Sequence, residues 1–173
     1  MKVRRQLERL EHIVLDDLEK VKGDAWHQAP GGKWTLAQIV DHLGRAVDTI
    51  ATAFETQADA APRGRDASPR QHLLRHLLLG AGKLPKPRAI SERNRPGERP
   101  DPELVAAAFR MAVERLASLT ESWTAAQRDG VFVSHPVLGD LNLPEWGRFF
   151  YVRGRQYAHQ IEVRRRWLTR RAS

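Results

Sequence analysis

Four stretches of this chain repeat apolar residues at spacings of three and four, a period that suits helices and little else. The first stripe is Val3, Leu7, Leu10, Val14, Leu18 and Val21, and the second is Leu36, Ile39, Val40, Leu43, Val47, Ile50 and Phe54. Leu104, Val105, Ala108, Met111, Ala112, Leu116, Leu119 and Trp123 form a third, and Trp146, Phe149, Phe150, Tyr157, Ile161 and Leu168 a fourth. An isolated helix of such length is marginal in water, so each must bury its stripe on a partner. Four such helices predict an all-α four-helix bundle.

The boundaries carry their own chemistry. Thr35 and Gln38 have the spacing of a capping box at the start of the second helix. Ser68-Pro69 opens a short additional helix, with Leu73, Leu74, Leu77 and Leu78 as its core side and Gly80 and Gly82 at its end. Residues 83–101, with Pro85, Pro87, Pro96, Gly97 and Pro100, read as a long irregular connection. Asp101-Pro102 starts the third long helix. Residues 129–142 read as a loop with room for a brief extended piece, and Asn142 caps the last helix. With no internal repeat, residues 1–173 are expected to form one domain.

One residue breaks the fourth stripe. Arg153 falls in its middle, one turn before Tyr157. A buried guanidinium costs several kcal/mol unless it is paired or reaches water. Arg153 therefore either snorkels out, pairs with an acid, or marks a polar pocket inside the bundle. Asp16, Asp17, Asp41, Asp48 and Glu114 lie on helices that reach it.

Other function classes are narrowed by composition. The chain has no cysteine, which removes disulfides, thiolate metal ligands and a protein thiol nucleophile. It has no apolar run long enough to cross a membrane and no apolar leader near Met1, so a cytoplasmic location without a membrane partner is expected. The net charge is +8, concentrated at Arg63–Arg99 and in the tail Arg164, Arg165, Arg166, Arg170 and Arg171. That balance favours anionic partners. Nucleic acid is not the expected one, because the tail lacks interleaved aromatics and the chain has no DNA-reading motif. The tail reads as a solvated helix end.

Two segments, GKWTLAQIVDHL at 32–43 and HPVLGDLNLPEWGRFFYVRGRQYAHQ at 135–160, resemble the DinB/YfiT-like superfamily of small helical bundles. The second is similar to a DinB-like subfamily of unknown function that reads His-Pro, then Gly, then Glu-Trp-Gly-Arg-Phe. The resemblance implies a bundle with a long crossover between the second and third long helices. It also implies a divalent metal, commonly Zn or Ni, held by one histidine on the second helix and two at i, i+4 on the last. His42 matches the first position, while Arg153 and Tyr157 stand at the other two. Arginine stays protonated and cannot ligate a cation. The metal is therefore expected to be lost and no cofactor is expected.

The expected site is an interior pocket lined by His42, Arg153, Tyr157 and Gln160; the resemblance places His135 near its mouth, and Trp146 reads as a core anchor or, alternatively, a wall of the pocket. Two fixed donors and one titratable imidazole suit a carboxylate or phosphate, so a small anionic ligand is the expected partner. The enzymatic alternative is a metal-dependent, thiol-using transferase or hydrolase that recruits His135 or Tyr157 beside His42. A third reading is an interaction module acting through its basic surface. A homodimer is also compatible with the resemblance. His72, His76 and His159 read as solvated, and Trp34 as a core anchor.

Overall fold

The computed structural model describes residues 2–82, 84–85 and 91–172. It is mostly helical. The long helices are α1 (Lys2–Leu15), α2 (Leu36–Glu55), α4 (Pro102–Ser122) and α6 (Leu143–Ala172), with the shorter α3 (Pro69–Ala81) and α5 (Ala125–Gly130) between them. A small antiparallel hairpin joins β1 (Phe132–His135) to β2 (Gly139–Asn142), pairing Val133 with Leu141. Among the described residues no helix is long and apolar enough to cross a membrane.

The caps lie where the side chains dictate. Thr35 Oγ1 accepts from the Gln38 amide while the Gln38 side chain accepts from the Thr35 amide. Ser68 and Gln71 repeat this at α3, and Asp101 caps α4. Gly82 closes α3 in the left-handed conformation, at φ +65°. Asn142 Oδ1 accepts from the Glu145 amide and Glu145 Oε2 from the Asn142 amide, which fixes the start of α6.

The core lies between α1, α2, α4 and α6. Helix α2 packs most extensively on α4, and α6 on α1. A Cβ at Gly154 would stand 2.0 Å from Leu10 Cδ1, and one at Gly147 2.5 Å from Val3 Cγ1. The two glycines, two turns apart, let α6 approach α1 this closely.

Several expectations need correction. The buried face of α4 is Val105, Phe109, Ala112, Val113 and Leu116, whereas Leu104 and Met111 are 70% and 66% exposed and Ala108 is exposed too. Val105, Ala112, Leu116 and Trp123 of the expected stripe are buried, but Phe109, the largest apolar side chain on the helix, and Val113 take the interior in place of Leu104, Ala108 and Met111. On α3, Leu73 and Leu77 are exposed and Leu79 is buried. The segment 129–142 is an ordered hairpin preceded by α5, and the irregular crossover contains a 3-10 turn at Glu92–Asn94. Gly23–His27 forms another such turn.

Candidate functional site

Helix α2 brings His42 to the interior, and α6 brings Phe149, Arg153 and Tyr157 to face it. The loop into α2 adds Trp34 and the hairpin adds His135. The His42 ring centroid lies 4.9 Å from Trp34 and 5.4 Å from Tyr157. The His135 centroid lies 4.9 Å from Phe149 and 5.6 Å from Trp146. The Arg153 guanidinium carbon sits 5.5 Å from the centre of the Phe149 ring, a cation–π distance. The two histidines thus flank one arginine within an aromatic wall.

The backbone settles the tautomers. His42 Nδ1 is 2.7 Å from the Asn94 carbonyl, which can only accept, so Nδ1 carries the proton and Nε2 the lone pair. Thr49 in turn donates to Asn94 Oδ1. At His135 the order is reversed: Nδ1 accepts from the Val137 and Leu138 amides at 3.1 and 3.2 Å, leaving the proton on Nε2. The site therefore presents imidazoles of opposite polarity.

Electrostatics keep both rings neutral. Burial pushes the His42 pKa down, the Asn94 bond opposes this, and the charge of Arg153 lowers it further. Burial and then Arg153 take His135 to about 4. The Tyr157 phenol is raised by burial, with Arg153 pulling the other way. One cation thus acts on three neighbouring titratable groups.

Arg153 is half-buried. Nη1 donates to the Pro85 carbonyl at 3.0 Å and to Gln156 Oε1 at 2.9 Å, and Gln156 Nε2 donates to the Leu84 carbonyl. The five acids that the sequence offers as partners are engaged elsewhere. Asp16 faces His12, Asp17 pairs with Arg165, Asp41 with Arg45, Asp48 with Arg115, and Glu114 with Arg4. Asp41 also accepts from the Gly97 amide. Among the described residues, which include every Asp and Glu of the chain, none forms an ion pair with Arg153.

The remaining sequence candidates are placed as follows. Trp146 is buried and donates from Nε1 to the Val133 carbonyl, anchoring the hairpin beneath His135. Gln160 is exposed on α6, and Gln156 one turn earlier is the glutamine beside Arg153. His159 is exposed near Glu162. His72 and His76 are exposed on α3, where Arg75 donates to His72. Arg164, expected in the solvated tail, is buried and donates to the Trp34 carbonyl at 3.1 Å. Sequence reading missed Asn94, Gln156, Arg164 and the Leu84 and Pro85 carbonyls. Periodicity flags only Arg164, which lies two turns beyond Tyr157 on the same stripe.

A divalent metal does not fit this donor set. His42 offers a single free nitrogen, Nε2, while Arg153 is a cation and burial holds the Tyr157 phenol in its neutral form, so one ligand remains where three are needed. Among the described residues no three His, Asp or Glu side chains are grouped to share an ion.

The model of the family described as the DinB superfamily matches residues 6–152 of this chain. The match ends one residue before Arg153. No curated protein and no solved structure matches the chain.

Proposed function

Because the chain belongs to the DinB superfamily, we propose that residues 1–173 form one four-helix bundle domain whose family metal position has become a binding site for a small anion. Arg153 takes the place of the metal's positive charge, and a carboxylate or phosphate is the group it receives. The enclosing aromatic rings of Trp34, Phe149 and Tyr157 suit an apolar body attached to that anion. His135 offers a neutral Nε2–H as a further donor, and His42 a neutral acceptor.

The observation that carries this reading is the state of Arg153. It is half-buried, and among the described residues it is hydrogen-bonded through Nη1 alone and ion-paired with no carboxylate. Its fork retains planar donors of the kind that engage carboxylate and phosphate in pairs. Nothing in this reading requires catalysis, since the cluster holds no nucleophile beside a base.

Isothermal titration with a panel of small carboxylates and phosphate esters tests it. Saturable binding to the wild type, lost in Arg153→Met with near-ultraviolet circular dichroism unchanged, supports the reading. Equal binding by Arg153→Met sinks it.

A further inference from the structure

Apart from the Arg153 cluster, Arg75 and Arg148 border a cavity of about 490 Å³ lined by α1, α3 and the start of α6. Val3, Leu79 and Pro144 supply apolar wall, and Arg75, His76 and Arg148 supply polar wall. That volume lies within the range of small-molecule sites. The site shares no residue with the Arg153 cluster.

Arg75 is only 4% exposed. Its Nη2 donates to His72 Nδ1 at 2.9 Å, and its Nε lies 3.0 Å from Glu145 Oε1. That Nε is out of line for a hydrogen bond and Nη1 has no partner among the described residues, so two buried donors are unmatched. Buried donors are rarely left so, and each is a feature that calls for an acceptor. Glu145 does not cancel the local charge, because Arg65 Nη1 also pairs with it, at 2.7 Å. Arg148 donates from Nε to the Leu79 carbonyl at 3.2 Å and is ion-paired with none of the described carboxylates. Two guanidinium groups, Arg65 and Arg75, therefore share one carboxylate, and Arg148 beside them adds a third positive charge. The amino-terminal end of α6, with its partial positive charge, faces the same space at Pro144 and Glu145.

We propose that this cavity is a second binding site, for a small organic oxyanion whose charged group lies against Arg75 and Arg148 and whose apolar part rests on Val3, Leu79 and Pro144. A phosphate ester and a carboxylate share the chemistry that the two arginines recognise.

His76 lines the cavity and reports on it directly. Ring nitrogen spectra of the whole chain are recorded at constant ionic strength during titration with butyl phosphate, butyrate and, as control, chloride. The expected result is a saturable His76 shift with butyl phosphate or butyrate and none with chloride. Which of the two saturates identifies the oxyanion. Arg148→Met is expected to raise Kd about tenfold or more, the value of one charge-assisted bond, and Arg153→Met to leave it within about twofold. Should Arg148→Met not fold, Arg148→Lys keeps the charge, loses the fork and is expected to bind more weakly than the wild type. The proposal is overturned if His76 shows no saturable shift, or if neither Arg148 variant weakens it. Binding that moves only His42 and His135 and vanishes in Arg153→Met also overturns it, while upholding the Arg153 site. Failure of both sites would appear as no saturable shift at any histidine.

Discussion

His135 makes the stability of this protein depend on mild acid. Its ring is held neutral because burial and then the Arg153 charge oppose protonation, taking the pKa to about 4 from an ordinary value of 6.5. In the unfolded chain the same ring takes up its proton as pH falls through 6.5. The unfolded state then binds more protons than the folded state, so stability falls as pH falls. The contribution is fully present above 6.5 and is lost progressively down to about 4. Over that whole interval the gap is worth about 3 kcal/mol, at 1.36 kcal/mol per pH unit. Solvent at the exposed edge of the ring reduces the loss reached by pH 5 to about 1–2 kcal/mol. The test is urea unfolding of the wild type and His135→Asn at pH 7.5 and pH 5. Asparagine is short, does not titrate, and still accepts an amide two residues on, as His135 does from Val137. The wild type is expected to lose about 1–2 kcal/mol more than the variant between the two pH values. His42 shifts in the same direction and contributes to the slope that both proteins share. Identical slopes, or an NMR titration of His135 centred near 6.5, would refute the reasoning.

Arg153→Met removes the cation that lowers both histidines, so His42 and His135 are each expected to titrate at higher pH than in the wild type. Proton NMR of the ring Cε1–H groups reads this, and two unmoved titration curves would contradict the shared-cation geometry. Phe109→Ala is expected to cost about 3–5 kcal/mol in urea unfolding because Phe109 is fully buried, whereas Met111→Ala should fall within about 0.5 kcal/mol of the wild type because Met111 is 66% exposed. The opposite ranking would return the α4 stripe to the face the sequence first suggests.

Much of the scaffold was legible because local rules decided it. Thr35, Ser68 and Asp101 cap helices through their own side chains, and each cap depends only on the next two or three residues. The α4 face was misread for a different reason. Leu104, Ala108 and Met111 form as regular a stripe as Val105, Phe109 and Ala112, so periodicity alone did not choose between them. The choice is made by α2, where Gly44 lies against the Phe109 backbone: a Cβ there would stand 3.4 Å from its Cα. The site divides in the same way. Arg153 and Tyr157 were visible because α6 places them on a stripe, and His42 because it lies in the α2 segment that carries the family resemblance. Asn94, Leu84 and Pro85 were invisible because they act through backbone carbonyls of an irregular crossover, which no side-chain pattern records.

The same carbonyls explain how α6 tolerates charge in its interior. Arg153 rests on the Pro85 carbonyl and Arg164 on the Trp34 carbonyl, and burial lowers the pKa of both. A carbonyl dipole satisfies a guanidinium donor without cancelling the charge, whereas a carboxylate would do both. The acids that the sequence offers as partners for Arg153 are instead spent on His12, Arg165, Arg45, Arg115 and Arg4. A carboxylate in place of those carbonyls would close an ion pair and cancel the field that a ligand could use. With dipoles in that role, the positive potential survives beside two neutral imidazoles, and an incoming anion gains it without displacing an existing counter-charge. The arrangement costs the fold some stability, because a cation is held where its hydration is incomplete. Binding an anion would offset that cost, which is the physical ground for reading Arg153 as a receptor.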